Sequence, residues 1–255
     1  MSKQIKRFNI TLKTLEPFRI GAKQNVLSAI DNPVTTIGGK VVIQGSTLKG
    51  ALRASIEEYL IDQYADNQSM KPCIPSASNT LSADERKLIE NGKFRRNGGC
   101  SYSPNPKNRS DSICPVCYLL GAQGLIGFVK IPYLYNEDIV PEEMYAVRLD
   151  RATGVVSEKT NRDYQIIARD ADFTGVLEIA ISDTLKGWQL GKTRIIDKQL
   201  GIGANDAWLT KGDWNTERII KELIVERLKN IAYVGGFKSK GCGRVKLTVT
   251  EIPPE

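Results

Sequence analysis

The chain has 255 residues, of which 41% are hydrophobic and 25% charged, as is ordinary for a globular protein that folds around its own core. Its formal net charge of +7 suits a polyanionic partner, although a basic surface often serves solubility alone. The sequence contains no histidine, which excludes Ser–His and Cys–His nucleophile pairs and histidine-ligated catalytic metals. No apolar run is long enough to span a membrane and the start does not resemble a signal peptide, so we predict a cytoplasmic protein.

The first third of the chain predicts two strands and a helix. Three alternating apolar residues, Phe8, Ile10 and Leu12, indicate a half-buried strand. Residues 40–44 form a second short strand. A helix from about Thr47 to Tyr64 carries apolar residues at helical spacing, and Ser46 is its predicted N-cap.

The middle of the chain changes in composition. Residues 66–117 are rich in Ser, Asn, Pro, Gly and Lys and are predicted to be an insertion, with a short helix in its middle. Strands resume at about 126–135 and 143–149. Residues 150–173 are polar and predict a long β-hairpin or a mobile arm.

The last third returns to regular periodicity. Residues 174–182 predict a strand, whereas residues 183–214 show no clear period. A second amphipathic helix is predicted from about Glu217 to Ile231. A glycine-rich loop and a last alternating strand, with Val245, Leu247 and Val249, follow it.

Without the insertions the order is strand, helix, strand, strand, helix, strand. This order predicts an α+β fold with a modified ferredoxin-like, RRM-like core. The core is assigned to residues 1–65 and 118–255, and residues 66–117 are assigned to the inserted segment.

The turn into the first helix, from Gln44 to Arg53, carries an unusual charge pattern. Lys49 lies in the first helical turns and Arg53 one turn later, where cations oppose the helix macrodipole. A phosphate bound at the helix N-terminus would resolve that conflict. The alternative is a pair of solvated surface cations, and the motif alone does not separate the two interpretations.

A second basic motif runs from Gly235 to Arg244. Its glycines allow the backbone to approach a ligand closely, and its cations favour an anion over a merely flexible turn. Phe237 could stack on a base or fill the core. The predicted RNA-binding residues of this loop are Gly235, Gly236, Phe237, Lys238, Ser239, Lys240 and Arg244.

Four of the five cysteines are grouped in the inserted segment. Cys114 and Cys117 form a C-x₂-C pair, and Cys73 and Cys100 precede them. Four thiolates and no histidine predict a closed, structural Zn²⁺ site, which would stabilise a segment poor in apolar residues. A redox C-x-x-C pair and unpaired thiols are the alternatives. Cys242 stands apart and is predicted to be a free thiol.

Asp31 lies before Asn-Pro on the loop that follows the first strand. An aspartate at this position is most often a turn former. Beside a cationic phosphate site it could instead position a metal ion or a 2′-hydroxyl group.

These motifs together resemble the RAMP superfamily of CRISPR-associated proteins, and most closely the Cas seven family of type III effector backbone subunits. The resemblance rests on Ala29-Ile-Asp31-Asn-Pro33, on Gly45-Ser-Thr-Leu-Lys-Gly50, on Arg148-Leu-Asp-Arg-Ala-Thr-Gly154 and on the terminal glycine loop. The cysteine-rich insertion is similar to zinc-binding insertions of subtype III-D and related effectors.

The resemblance implies a subunit that stacks with copies of itself or paralogues along a guide RNA. The helix-one motif, with Ser46, Lys49 and Arg53, and the glycine loop would then contact phosphates. Residues 150–173 would be a thumb hairpin with Arg148 and Arg151 at its base. Asp31 would cleave target RNA at regular intervals with a divalent metal ion such as Mg²⁺, through attack of a 2′-hydroxyl on the adjacent phosphate.

Two other functions stay open at this point. The chain could be a structural guide-binding subunit without nuclease activity. It could also be a stand-alone RNA-processing enzyme of the same superfamily, although the absence of histidine leaves the acid–base chemistry of such an enzyme hard to assign.

Overall fold

A computed structural model describes most of the chain. The described residues are 3–22, 30–73, 84, 87, 94–96, 99–101, 112–157, 162–197, 202–203, 207–210 and 212–253. Among them, no helix is both long and apolar enough to cross a membrane. The short helix predicted inside the insertion falls almost entirely outside these residues.

The strands form one large antiparallel sheet and two small ones. In chain order they are β1 (Lys3–Thr14), β2 (Thr36–Ile37), β3 (Lys40–Ile43), β4 (Val129–Lys130), β5 (Leu134–Tyr135), β6 (Glu142–Ala146), β7 (Arg162–Ile166), β8 (Asp172–Asp183), β9 (Trp188–Gln189), β10 (Ile195–Asp197), β11 (Ile202–Gly203) and β12 (Val245–Ile252). The large sheet has the order β12-β1-β8-β5-β3-β2, and β4 and β9 also pair with β8. The small sheets are β6–β7 and β10–β11.

Helical segments α1 to α4 complete the described fold. They are α1 (Gly45–Gln63), α2 (Pro115–Leu120), α3 (Ala207–Thr210) and α4, a continuous segment built from Thr216–Arg218, Ile219–Val225 and Glu226–Lys229. The helix predicted near 217–231 is therefore present, but its middle part is π-helical. Periodicity reports only which face is apolar, so it did not reveal this local widening.

One face of the large sheet carries the core. Phe8, Ile10 and Leu12 are at most 4% exposed, which confirms the alternation predicted for β1. They join the apolar faces of α1 and α4 in a single cluster with residues of β8 and β12. The opposite face is largely open to solvent and polar, with Asn9 and Thr250 paired across β1 and β12.

The described residues of the insertion extend this core. Met70, Ile113 and Val116 are buried and belong to the same apolar cluster as the sheet and helices. Val116 lies on α2, which packs against α1. The inserted segment is thus anchored on α1 through its own apolar side chains as well as through its cysteines.

The start of α1 corrects one prediction. The N-cap is Gln44 and not Ser46, and no side chain caps this helix end. A side chain at Gly45 would come within 2.8 Å of the Ile131 carbonyl oxygen, so this position favours glycine, and the helix begins there. Ser46 therefore lies inside the first turn, where its hydroxyl is 3.5 Å from Oε1 of Gln44.

The projecting hairpin is formed by β6 and β7, with Glu142 paired to Ile166 and Ala146 to Arg162. The strand predicted at 143–149 is thus its first strand, and Asp172 and Phe173 belong to β8 of the large sheet. The predicted bounds were wrong because composition marks residues 150–173 as one polar stretch. A hairpin needs one strand on each side of its turn, and here the first strand precedes that stretch.

Candidate nucleic-acid interface and metal centre

The four clustered cysteines meet beside α1. Their Sγ atoms all lie within 4.8 Å of one another, and Cys73 Sγ is 3.5 Å from Cys117 Sγ. Cys114 is the N-cap of α2, and its Sγ accepts a hydrogen bond from the backbone N–H of Cys117. Cys100 Sγ accepts one from the backbone N–H of Cys114. Cys242 is buried elsewhere as a free thiol, as predicted.

The donor set of this cluster fits a tetrahedral metal ion. Sulfurs around Zn²⁺ at a Zn–S distance of about 2.3 Å lie about 3.8 Å apart, close to the spacing found here. Hydrogen bonds from the other thiols, that of Cys114 foremost, lower the pKa of the Cys100 thiol, whereas burial raises the pKa of the Cys114 thiol. Thiolates packed this closely repel one another, and a bound divalent cation would allow all of them to ionise. The cluster can therefore hold a metal ion.

Two arginines approach the sulfurs. Arg53 Nη1 lies 3.7 Å from Cys117 Sγ, and Arg96 Nη2 lies 3.5 Å from Cys100 Sγ. Four thiolates around Zn²⁺ carry a net charge of about −2, which two guanidinium groups balance. The cysteine spacing did not single out Arg96, although it lies only four residues before Cys100.

Arg53 is also held by its other contacts. Its Nη2 donates to the Gly121 carbonyl at 3.1 Å, and Nη1 lies 3.8 Å from the Glu57 carboxylate. Glu57 is only 7% exposed and forms a 2.9 Å ion pair with Arg95. The sequence placed Arg53 with Lys49 in one phosphate-binding motif, but the structure brings its guanidinium to the cysteine cluster. Its role in RNA binding stays a prediction.

The first turn of α1 borders an open cavity. This cavity of about 700 Å³ includes Ser46 and Lys49, the loop after α2, and the further lysines Lys3 and Lys130. The first helical turn contains no acidic residue. Glu178 also lines the cavity and pairs with Lys130 at 3.0 Å. The end of α1 that attracts anions therefore lies beside three lysines, one of which is already paired with a carboxylate.

A second groove lies between α1 and the glycine loop. It encloses about 400 Å³ and is lined by Thr47, Gly50 and Ala54 on α1 and by Gly235, Gly236 and Lys238 on the loop. A Cβ added at Gly50 would meet nothing within 4 Å. The folded chain alone thus does not require glycine at this helical position, where alanine is favoured by about 1 kcal/mol.

The glycine loop is shaped by backbone conformations that favour glycine. Gly235, at φ +86°, lies so close to Arg19 that a Cβ would be 2.4 Å from its carbonyl oxygen. Phe237 adopts φ +60°, uncommon for a residue with a side chain, and precedes a 3₁₀ turn over Lys238–Lys240. Lys238, Ser239, Lys240 and Arg244 are all exposed. The cationic residues predicted to bind RNA are thus on the surface of a defined loop.

The sequence left open whether Phe237 stacks on a base or fills the core, and its position in the structure lies between these two. It is half-buried and meets the ring of Tyr164 edge to face, with the ring centroids 5.0 Å apart. The guanidinium of Arg19 lies over the ring of Phe237, 5.0 Å from the ring centroid, and Lys240 Nζ lies 4.6 Å from the same centroid. Phe237 therefore anchors the loop against the hairpin and holds two cations beside it.

Asp31 is exposed on a loop that the hairpin holds in place. The backbone N–H of the next residue, Asn32, donates to the Asp163 carbonyl, and the N–H of Gln165 donates to the Asn32 carbonyl. Val34 N–H donates to Oε1 of Gln165. Asp163 and Gln165 lie on β7, so the loop of Asp31 is held against the base of the hairpin.

Arg148 and Arg151 are exposed in the connection between the two hairpin strands. Asp150 organises this region, because its Oδ1 accepts hydrogen bonds from the backbone N–H groups of Ala152 and Thr153. Those contacts lower the pKa of Asp150, that from Thr153 foremost. Asp150 thus stabilises the turn on which Arg148 and Arg151 are exposed.

The chain matches one family of known proteins, whereas no curated protein matches it. The model of the RAMP superfamily matches residues 11–246, which is most of the chain and includes the first helix, the cysteine cluster, the hairpin and the glycine loop. The chain therefore belongs to the RAMP superfamily of CRISPR-associated proteins.

Proposed function

We propose that this chain is a guide-RNA-binding backbone subunit of a type III CRISPR effector. Membership of the RAMP superfamily implies a subunit that binds CRISPR RNA within a CRISPR complex. The observation that carries the finer proposal is the groove between α1 and the glycine loop, where Gly50 faces Gly235, Gly236 and Lys238. These glycines leave room for an RNA backbone, and the lysine supplies the opposite charge.

The N-terminus of α1 also supports RNA binding on this side of the helix. Its N-terminus is uncapped by any side chain and has no acidic residue in its first turn, while Lys49 lies one turn inside. A helix selected for stability alone gains from Asp or Glu at these positions. An RNA phosphate at this end would satisfy both the helix dipole and Lys49.

A ferredoxin-like core is part of this proposal. Strands β1, β5, β8 and β12 occur in the sheet order β12-β1-β8-β5, with α1 between β1 and β5 and α4 between β8 and β12 along the chain. This is the order of a split βαβ fold. The open sheet face presents polar side chains such as Asn9, Thr248 and Thr250 on β1 and β12, and the exposed aromatic Tyr135 on β5.

We extend the proposal to cleavage of target RNA at Asp31. The contacts of the Asp31 loop with β7 would keep the carboxylate beside the hairpin that projects into the RNA. In the reaction the 2′-oxygen would bond to the adjacent phosphorus as the P–O5′ bond breaks, which leaves a 2′,3′-cyclic phosphate. The 2′-hydroxyl proton would pass to water, and the 5′-oxygen would take a proton from water. A hairpin that kinks the duplex would favour the required in-line arrangement.

A divalent cation such as Mg²⁺ could be held by the Asp31 carboxylate, an oxygen ligand of the kind that this ion prefers. When bound, it would neutralise charge on the phosphate. Asp31 itself is proposed to orient the attacking hydroxyl.

The assembled complex separates cleavage from simple binding. Asp31→Ala should abolish cleavage of target RNA at the regular sites while guide RNA stays bound. The control Asp66→Ala changes an exposed aspartate in the turn after α1 and should cut like the wild type. Undiminished cleavage by Asp31→Ala would leave the alternative, a structural guide-binding subunit without nuclease activity.

We further propose that the cysteine cluster holds Zn²⁺ as a structural ion. All four sulfurs are used and the site is buried, so it leaves no open position for substrate. Metal analysis of purified protein should give about one zinc per chain. Metal-free protein with freely reactive thiols at Cys114 and Cys117 would contradict this assignment.

A further inference from the structure

Arg19 lies where three functional segments meet. Its carbonyl oxygen accepts a hydrogen bond from the backbone N–H of Gly236, in the glycine loop, at 2.9 Å. Its Nη2 donates to the carbonyl of Asn32, the residue after Asp31, at 3.2 Å. Its guanidinium also lies 5.5 Å from the ring centroid of Tyr164, on the hairpin. No sequence motif singled out this residue.

The guanidinium of Arg19 occupies a slot between two aromatic rings. Tyr164 and Phe237 meet edge to face, and both lie within cation–π distance of it. A Cβ at Gly21 would come within 2.9 Å of Nη1, so glycine at that position makes room for the group. The slot thus fixes the orientation of the guanidinium plane.

The hydrogen-bonding capacity of Arg19 is largely unused within the described part of the chain. A guanidinium offers five N–H donors, and one hydrogen bond from Arg19, to Asn32, is found. Its Nε is buried and has no hydrogen-bond partner among the described residues. A buried donor in this state costs free energy.

The charge of Arg19 is likewise unbalanced. The ion pairs found among the described residues do not include it, and Lys240 shares the ring of Phe237 with it. Burial lowers the pKa of Arg19 from its ordinary value. Two neighbouring cations that form no ion pair with a carboxylate among the described residues are suited to a bound anion.

We propose that Arg19 binds a phosphate of the RNA backbone, at a point between the glycine loop and the loop of Asp31. Lys240 supplies the second positive charge. This inference rests on the proposed RNA-binding function and deepens it, because it places one phosphate beside the proposed nuclease loop. Arg19 would then couple the position of that phosphate to the hairpin and the glycine loop, since its contacts join all three.

The test compares Arg19→Gln and Arg19→Lys with the surface control Arg169→Gln. Arg169 is 76% exposed, and its one ion pair among the described residues is with the neighbouring Asp170. Affinity of the purified chain for a fluorescent single-stranded RNA is measured by anisotropy at several salt concentrations, together with the melting temperature. Loss of one phosphate contact lowers the slope of log K against log salt by about 0.7.

Arg19→Gln should bind RNA about tenfold more weakly, and its slope of log K against log salt should be lower by about 0.7. Arg169→Gln should match the wild type in both. Arg19→Lys keeps the charge but not the planar fork, so it should keep the slope and lose affinity about threefold. If Arg19→Gln does not fold, Arg19→Lys decides, and wild-type affinity in that variant would refute the inference.

A merely structural Arg19 gives a different result. In that case Arg19→Gln lowers the melting temperature but keeps the wild-type salt slope, which overturns the inference and leaves the proposed function intact. Wild-type protein without salt-dependent RNA binding would instead refute the proposed function itself, and the Arg19 site with it.

Discussion

Replacing Arg53 by glutamine should weaken metal binding at the cysteine cluster. The guanidinium lies 3.7 Å from Cys117 Sγ and 3.1 Å from the Gly121 carbonyl. Its replacement removes one of the two cations next to the sulfurs. Loss of such an outer-shell partner typically lowers metal affinity 10- to 100-fold.

That range corresponds to about 1.4–2.7 kcal/mol, which agrees with the 1.5–3 kcal/mol expected for a hydrogen bond to a charged group. The side chain of Arg53 is 27% exposed, so solvent screens the interaction in part and the lower end of the range is expected. Arg96→Gln should act in the same direction, because its guanidinium lies 3.5 Å from Cys100 Sγ.

The assay is competition for Zn²⁺ with a chromophoric chelator, supported by the thiolate-to-metal charge-transfer band of the Co²⁺-substituted protein. Arg169→Gln serves as the surface control. RNA binding of Arg53→Gln is measured over a salt series. Unchanged metal affinity would contradict this prediction. A salt slope reduced by about 0.7 would support the direct phosphate contact that the sequence predicts for Arg53.

Three further predictions concern the grooves and the metal. Lys49→Gln should lower the salt slope of RNA binding by about 0.7, while Lys246→Gln, on the open sheet face, should leave it unchanged; equal slopes in both would remove Lys49 from the interface. Gly50→Ala should raise the free energy of unfolding by about 0.5–1 kcal/mol in denaturant titrations yet weaken RNA binding, because its Cβ enters the groove; unchanged RNA affinity would argue that no ligand approaches there. Cys114→Ser should lower zinc content and the melting temperature together, and a variant that keeps both would show that the cluster is not a structural metal site.

Local periodicity predicted the elements that form the core. The alternation of Phe8, Ile10 and Leu12 and the helical stripe of α1 are confirmed, because each depends on burying one face of a regular element. The grouping of four cysteines was also visible, since their residue type and spacing alone suggest a shared site.

Contacts between distant segments could not be predicted in this way. Arg53 follows Lys49 by one helical turn, yet its guanidinium faces the sulfurs because the insertion folds back onto α1. Arg19 carries no local signal at all, since Asn32, Tyr164 and Phe237 reach it from three other segments. The N-cap was misassigned because serine is a favoured cap, whereas packing against Ile131 made Gly45 the first helical residue.

Co-purification from cells that express the whole CRISPR locus tests the central claim most directly. We expect the tagged chain to retain small RNA that carries CRISPR repeat sequence, together with sister subunits. Simultaneous replacement of Lys49, Lys238 and Lys240 by glutamine should greatly reduce the retained RNA. Wild-type protein that is recovered folded but free of CRISPR RNA would contradict the proposed function.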